Sequence, residues 1–202
     1  MLVTCDKLEY IIDNLNSNLD PEYPYRFLCD LDYSELQNIN NEFDEDCIED
    51  IQTCQYELTD EFSTIGCYKI VAFQKDTYQI VGYITFTHNI LDNNFMQIVR
   101  IDHMCTLNKA RRKGIAEYLA VIVIKYSLDN TSISAIVSDT NDKSGRLFVD
   151  KFNFVKYDEK HLNKLWEQYH STLFASGNTF KIINEDTTDS EFPIHINKYF
   201  TV

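Results

Sequence analysis

The chain has 202 residues, of which 44% are hydrophobic and 25% charged, and its formal net charge is −14. This length and apolar content suit one compact domain, and 5 glycines and 3 prolines exclude a low-complexity chain. No apolar run approaches the ~18–20 residues of a membrane span, and the first residues lack the cationic start of a signal peptide, so we expect a cytoplasmic protein without membrane contact.

The negative charge is concentrated in the first third of the chain. Residues 1–61 contain 17 Asp and Glu against 2 Lys and Arg, whereas residues 62–202 contain 15 against 16. An acidic surface repels a phosphate backbone, which argues against nucleic acid as a partner. The charge favours a cationic substrate or partner; the alternative is a solvated acidic face, for example at Glu42–Asp50.

The six cysteines, at positions 5, 29, 47, 54, 67 and 105, are scattered along the chain. They form no C-x-x-C pair, and no histidine stands at metal-ligand spacing from them. This pattern predicts buried free thiols in a reducing compartment and no metal site.

Hydrophobic spacing predicts the elements of the first half. Residues 5–20 read as an amphipathic helix. A short strand in "PYRFLCD" and two helices within residues 30–58 follow. The segments "CYKIVAFQK", "QIVGYITFTHN" and "NFMQIVRIDHMCTL" read as three antiparallel strands, the first two forming a hairpin. A strong helix, "AEYLAVIVIKYSL", comes next.

The second half alternates strands with helices. "SISAIVSD" reads as a strand that is buried on both faces. It is followed by a helix in "NDKSGRLFVDKF", a strand in "FNFVKYDE" and a helix in "KHLNKLWEQYHSTLF". The segments "TFKIINED" and "FPIHINKYF" read as a closing strand pair. A meander followed by this alternation predicts a mixed α/β sheet.

A cationic turn, "RRKGIA", stands between the third meander strand and its helix. The first N–H groups of a helix lack intrahelical acceptors and attract anions. Gly114 would let the backbone approach a ligand closely, and Arg112 and Lys113 add positive charge. The alternative is a solvated basic turn that binds nothing.

The run "MCTLNKARRKGIAEYL", followed by "IVSDTNDKSGRLFVDKFNFVKY", resembles the GNAT superfamily of acyl-CoA-dependent N-acetyltransferases. The resemblance covers Tyr25 to about Asp158. It implies an α/β (α+β) GNAT fold, with a mixed, mostly antiparallel sheet that is splayed at its centre and flanked by helices. It also implies one N-acetyltransferase domain over residues 25–202, preceded by a helical extension over residues 1–24.

The resemblance also implies an acetyl-CoA site. The backbone at the end of the third meander strand would hold the acetyl group and the pantetheine arm. The amides after Arg111 would hold the pyrophosphate, and Asn141 and Ser144 would flank the cofactor as it leaves the sheet. The implied contacts are Met104, Cys105, Thr106, Arg111, Arg112, Lys113, Gly114, Ile115, Ala116, Glu117, Asn141, Ser144 and Phe148. No metal is implied.

Three positions depart from the family pattern. Phe148 stands where the family usually has a tyrosine that protonates the departing thiolate. Asn153 and Phe154 replace the usual Gly-Phe, and Asn tolerates the left-handed conformation that Gly supplies. Ile136 stands where enzymes that acetylate ribosomal-protein N-termini carry a catalytic glutamate, which disfavours that activity.

The candidate catalytic bases are Asp102 and His103. Alternation along a strand places Asp102 on the face of Met104 and Thr106, unless a bulge intervenes. Spermidine/spermine N-acetyltransferases carry a carboxylate at the offset of Asp102, and the chain resembles them there. The alternatives are an Asp102 that pairs with Arg100 and a His103 with a structural role.

These observations predict transfer of an acetyl group from acetyl-CoA to a primary amine, with a small cationic amine such as a polyamine as the leading acceptor. One alternative is a CoA-binding module of weak activity that docks a basic protein. Another is a protein lysine acetyltransferase. The oligomeric state is open, with a homodimer as one option.

Overall fold

The protein is represented by a computed structural model, which describes residues 2–30, 43, 62–91, 96–138, 146–156, 179–182 and 196–200. Two α-helices lie in these ranges, α1 (Leu2–Asn18) and α2 (Ile115–Leu128). The strands are β1 (Tyr25–Asp30), β2 (Phe62–Gln74), β3 (Ile80–Leu91), β4 (Met96–Thr106), β5 (Ile133–Ser138), β6 (Val155–Lys156) and β7 (Thr179–Ile182). The helices predicted within residues 30–58 and 160–174 lie outside the described residues.

The strands form one sheet in the order β1-β2-β3-β4-β5-β7-β6. Strands β1 to β4 are antiparallel neighbours, as are β5, β7 and β6. Only the β4–β5 pair in this sheet is parallel. The predicted hairpin, meander and mixed, mostly antiparallel sheet are therefore confirmed.

The sheet opens at its centre, between the two parallel strands. Strands β4 and β5 pair from Gln97 opposite Ile133 to Ile101 opposite Ser138. Strand β4 then continues to Thr106, and this end is paired with β3. In the part of the chain that the structure describes, residues 102–106 have no partner on β5. This edge of β4, next to the described end of β5 at Ser138, is called the gap between β4 and β5, and the family resemblance implies a splay of the sheet here.

Helix α2 lies over the sheet and is apolar on almost every side. It packs against β2, β3, β4 and β5, and α1 covers it from another direction. A helix that is hydrophobic all round has to be covered all round. The covering face of α1 is fully buried and has the helical spacing that the sequence predicts, with Leu8, Ile11, Ile12 and Leu15.

Two elements near the C-terminus differ from the predictions. The first strand of the predicted closing pair is present as β7, which pairs with β5 and β6. The predicted second strand is wrong over Ile196–Tyr199, which form a 3-10 helix, and its first residues lie outside the described ones. Ile196 and Phe200 are buried while the two residues after Ile196 are exposed, which is a helical rather than a strand spacing. The predicted helix that ends near residue 152 contains a π-helical turn over Leu147–Lys151.

The outer edge of β1 is closed by a side chain of α1. The Asn16 amide donates from Nδ2 to the Phe27 carbonyl at 2.8 Å and accepts from the Phe27 N–H at 3.0 Å. An amide has the same donor and acceptor as a backbone peptide, so Asn16 replaces a neighbouring strand at this point. Such a cap prevents the edge strand from pairing with another chain.

Replacement of Asn16 by Ala would leave both Phe27 backbone groups without these partners. Because unsatisfied buried polar groups are costly, we expect the free energy of unfolding to fall by about 2 kcal/mol. Urea unfolding measures this loss, with Ser17→Ala as the matched control, because Ser17 is exposed and bonds only within its own helix. Equal stabilities for the two variants would contradict the capping role.

Candidate functional site

The backbone at the end of β4 faces the gap between β4 and β5. The Leu107 N–H donates to the Val81 carbonyl at 2.8 Å, so Leu107 and Val81 are a hydrogen-bonded pair of the ladder between β4 and β3. Hydrogen-bonded and non-hydrogen-bonded pairs alternate along an antiparallel ladder. Cys105, two residues before Leu107, therefore also directs its backbone N–H and C=O groups towards β3. Met104 and Thr106 direct theirs the opposite way, into the gap. An extended, amide-containing ligand could therefore lie along this edge.

Gly82 on β3 allows a close approach at the same place. An ideal Cβ at this position would lie 3.0 Å from the Cys105 carbonyl oxygen and 3.1 Å from Cγ2 of Ile115. The missing side chain therefore lets α2 begin directly against the sheet. The Thr106 Oγ1 lies nearby, is buried, and has no hydrogen bond to a described residue. A buried hydroxyl of this kind suits a polar ligand in the gap.

The segment from Asn108 to Gly114, here named the cationic turn, joins β4 to α2. It starts with a 3-10 helix over Asn108–Ala110. Arg112 and Gly114 have φ angles of 63° and 82°, both in the left-handed region. Gly114 is the N-cap of α2, and its carbonyl accepts the first helical bond from Tyr118 N–H at 3.0 Å. The earlier N–H groups of α2 have no intrahelical acceptor, and their arrangement beside the turn, called here the concavity, suits an anion.

Four exposed cations surround this concavity: Lys109, Arg111, Arg112 and Lys113. Lys109 Nζ donates to Gln79 Oε1 at 3.0 Å. Arg111 Nε donates to the Thr106 carbonyl at 3.1 Å, which ties the turn to the end of β4. The gap and the cationic turn are therefore parts of one continuous surface.

Glu117 is an anion in the first turn of α2, but its charge is engaged elsewhere. Oε1 accepts a hydrogen bond from the Tyr199 hydroxyl at 2.6 Å, and Oε2 forms an ion pair with Lys151. Burial alone would raise the pKa of Glu117, but these hydrogen bonds and the charges of Lys151 and Lys198 outweigh it, and the pKa lies below its ordinary value. The Glu117 carboxylate stays ionised, but its negative charge is balanced by Lys151, so it does not repel an anion at the turn.

An aromatic cluster supports the turn from the protein side. The Tyr118 ring lies 5.4 Å from Tyr23, 5.6 Å from Phe27 and 5.6 Å from Tyr199, measured between ring centroids. The Tyr23 hydroxyl donates to the carbonyl of Lys113 at 2.9 Å. Tyr23, Tyr199 and Gly82 were not predicted from the sequence as parts of this site. Only Gly82 carried a signal, as a glycine inside an apolar strand.

The two candidate bases lie at an irregularity of β4. His103 is opposite Thr85 and Ile101 is opposite Phe86, so Asp102 is the extra residue of a β-bulge. The alternation of side chains along the strand therefore does not determine whether Asp102 lies on the same face of the sheet as Met104 and Thr106. Its Oδ1 lies 3.3 Å from Arg100 Nε, and its side chain is 18% exposed. The ion pair considered in the sequence analysis is present, beside the gap.

Phe148 is part of the core. It is fully buried, and its ring lies 6.1 Å from that of Phe152 and 5.1 Å from that of Phe154. Asn153 has a φ of 57°, so it adopts the left-handed conformation expected of a residue that replaces glycine. The predicted cofactor contacts Asn141 and Ser144 lie outside the described residues.

Among the described cysteines, Cys29 and Cys67 take part in no disulfide, whereas Cys105 is disulfide-bonded. The prediction of free thiols is therefore wrong at Cys105, because spacing along the chain does not reveal which cysteines the fold brings together.

The described residues contain no group of three or more His, Cys, Asp or Glu side chains placed to hold a metal ion. No helix among them is long and apolar enough to cross a membrane.

No protein-family model matches the chain, and no curated protein sequence matches it. Its structure is similar to several solved structures at low sequence identity. A GNAT family N-acetyltransferase (YhbS) from Escherichia coli, in complex with CoA, has a TM-score of 0.51 and 16% identity, covering 83% of this chain and 86% of that one. Arabidopsis thaliana NAA60, in complex with a bisubstrate analogue, has a TM-score of 0.50 and 15% identity, covering 79% and 98%.

A third similar structure is the KacTA–DNA complex, with a TM-score of 0.54 and 12% identity, covering 78% of this chain and 92% of that one. At these identities the likeness concerns the fold. The chain has the GNAT fold, with a mixed sheet flanked by helices and a helix at its N-terminus, as the sequence-based analysis predicted.

The two left-handed residues of the cationic turn predict opposite effects of substitution. Gly114→Ala should lower the free energy of unfolding by about 1–2 kcal/mol, because an L-residue is strained at this φ. A Cβ there would lie 3.4 Å from the Tyr118 ring, which is ordinary contact, so strain alone accounts for the loss. Arg112→Gly should leave stability equal or higher, because it relieves the same strain. Urea unfolding measures the stability of the two variants. Equal losses of unfolding free energy would contradict the assignment of both residues to the left-handed region.

Proposed function

We propose that this protein transfers an acetyl group from acetyl-CoA to a primary amine, and that the acceptor is a small cationic amine such as a polyamine. The observation that carries the proposal is the continuity between the gap beside β4 and the cationic turn. Acetyl-CoA combines an extended arm with amide groups and a pyrophosphate. A backbone edge suits the first part, and free helix N–H groups with exposed cations suit the second.

The predicted cofactor contacts at the end of β4 and in the cationic turn have roles in this proposal, whereas Phe148 lies in the core and Asn141 and Ser144 lie outside the described residues. Met104 offers its backbone groups and Thr106 its N–H to the pantetheine arm and the acetyl carbonyl, since the Thr106 carbonyl already accepts from Arg111 Nε. The N–H groups from Gly114 to Glu117 hold the pyrophosphate, and Arg112 and Lys113 add charge at its rim. Solved structures of the same fold contain CoA and acetyl-CoA, which supports this ligand for the present chain.

The reaction requires a neutral amine. An alkylammonium group has a pKa of about 10.4, so a base has to remove its proton at neutral pH. We propose Asp102 as this base or as the anchor of the cation, with His103 as the second candidate. The amine nitrogen then forms a bond to the thioester carbon, the carbon–sulfur bond breaks, and CoA leaves as a thiolate.

Protonation of the thiolate is assigned to water. Phe148 has no proton to donate, and its burial in the phenylalanine cluster keeps it away from solvent. A CoA thiolate is a tolerable leaving group, so turnover does not require a dedicated acid. Tyr118 is the tyrosine nearest to the cationic turn in sequence, but nothing in its contacts singles it out as an acid.

The charge of the first third of the chain supports a cationic acceptor. Residues 1–61 have a net charge of −15, which would attract a polyamine and repel a nucleic acid. We propose that the protein acts on a small molecule, with neither nucleic acid nor membrane as partner.

The experiment that tests the proposal measures thiol release from acetyl-CoA over a panel of amines. We expect polyamines to be acetylated faster than aminoglycosides, amino acids or lysine peptides. Release at the background rate with every amine would overturn the enzyme proposal. CoA binding without turnover, with a basic protein as partner, would favour the binding module instead. Preference for lysine peptides would identify a protein acetyltransferase.

Asp102→Asn separates the roles of base and anchor. If Asp102 takes the proton, kcat at neutral pH should fall more than ~10-fold, within the ~10²–10⁴-fold range of general-base catalysis. The rate should partly recover at high pH, where the amine is already neutral, while CoA affinity stays unchanged. If Asp102 only anchors the cation, KM for the amine should rise with little change in kcat. Unchanged kinetics would leave the Arg100 ion pair as its role and move the assignment to His103.

Phe148→Tyr tests whether the missing tyrosine limits the rate. We expect no gain in kcat, because the ring is enclosed by Phe152 and Phe154 and its new hydroxyl would be buried in an apolar cluster. We also expect a loss of about 1–3 kcal/mol in the free energy of unfolding, the usual effect of an unpaired buried hydroxyl. Steady-state kinetics and urea unfolding measure the two effects. A large increase in kcat with unchanged stability would show that the hydroxyl reaches the reaction centre.

A further inference from the structure

A hydrogen bond connects the segment before β1 to the cationic turn, 90 positions away in sequence. The Tyr23 hydroxyl donates to the Lys113 carbonyl at 2.9 Å. Lys113 lies between Arg112 and Gly114, whose φ angles are 63° and 82°. A non-glycine residue in the left-handed region persists only where its surroundings hold it there. The Tyr23 hydroxyl is part of the surroundings that hold this turn.

The geometry of the peptide bond transmits this contact to the other side of the turn. The Lys113–Gly114 peptide is trans, and in a planar trans peptide the C=O and N–H groups point in opposite directions. Holding the Lys113 oxygen against Tyr23 therefore directs the Gly114 N–H away from Tyr23. This N–H immediately precedes the free N–H groups of the first turn of α2.

Tyr23 is itself firmly held. Its N–H donates to the Asp20 carbonyl at 2.9 Å, and Lys75 fixes the same segment through its N–H to Pro24 O at 2.9 Å and its Nζ to Pro21 O at 2.8 Å. The ring lies 5.4 Å from the rings of Tyr25 and Tyr118. Burial raises the pKa of Tyr23 far above its ordinary value, with the nearby tyrosines adding to the shift, so the hydroxyl stays protonated.

From this geometry we infer that Tyr23 is a positioning residue for acetyl-CoA binding: it fixes the Lys113–Gly114 peptide so that the Gly114 N–H faces the pyrophosphate. The identity of the ligand rests on the proposed function, whereas the contact with the turn does not. Tyr23 itself does not touch the ligand. Its effect is therefore specific to the phosphate-bearing end of the cofactor.

The test compares Tyr23→Phe with Tyr25→Phe. Both variants keep the ring and lose one hydroxyl from the same aromatic cluster, but the Tyr25 hydroxyl makes no hydrogen bond among the described residues. Calorimetry measures the Kd of each variant for CoA and for pantetheine, which lacks the pyrophosphate. For Tyr23→Phe we expect CoA binding to weaken about 5–10-fold, the effect of losing one hydrogen bond, and pantetheine binding to stay unchanged. Tyr25→Phe should change neither value.

Amide hydrogen exchange provides a readout that needs no ligand. In Tyr23→Phe, the Tyr118 amide, whose N–H donates to the Gly114 carbonyl, and the amides that follow it in the first turn of α2 should exchange roughly 10-fold faster than in the wild type, because local opening of the helix start becomes easier. The same amides should be unaffected in Tyr25→Phe. Thermal unfolding of both variants verifies that the fold is retained.

The outcomes separate this inference from the proposed function. Faster exchange together with a selective loss of CoA affinity supports the positioning role. Unchanged exchange overturns it, whatever the binding data, and so does an equal loss for CoA and pantetheine, which would indicate a general structural effect. If the wild type binds no CoA, the proposed function fails, and the exchange result alone decides whether Tyr23 positions the turn.

Discussion

Strand β4 shares its backbone hydrogen bonds unequally between its two neighbours. It stays paired with β3 to its end at Thr106, but its pairing with β5 stops at Ile101. Pleating then determines which groups are exposed in the gap, because only every second residue points its N–H and C=O groups that way. Among the described residues, the parallel pair thus leaves a linear backbone edge at the end of β4.

The cationic turn depends on this arrangement and on contacts from distant parts of the chain. Gly82 lets α2 start close to the end of β4, and Arg111 joins the turn back to Thr106. Tyr23 and Tyr199 reach the head of α2 from opposite ends of the sequence. A short irregular loop is thereby held by the sheet, by the segment before β1 and by the C-terminal 3-10 helix at once.

The sequence predicted the parts of the fold that are encoded locally. The meander strands, α2 and the turn carry strong signals in their apolar periodicity and in the cations next to Gly114. The left-handed conformation of Asn153, with a φ of 57°, was also predicted, because tolerance of this conformation is a property of the residue type. The bulge at Asp102 could not be foreseen, since it depends on how β4 aligns with β3. The contacts of Tyr23 and Tyr199 depend on tertiary folding alone.

The packing of α1 against α2 has a consequence for the order in which the chain folds during synthesis. The apolar face of α1 is made first, and about 100 residues separate it from its partner. At ~5–20 residues per second, the ribosome needs on the order of 5–20 s to supply α2. A helix in a protein owes most of its stability to the packing of its apolar face, which α1 lacks until α2 is made, whereas β2, β3 and β4 are consecutive and can pair with one another as they emerge. The first helix to be synthesised is therefore expected to be among the last elements to dock.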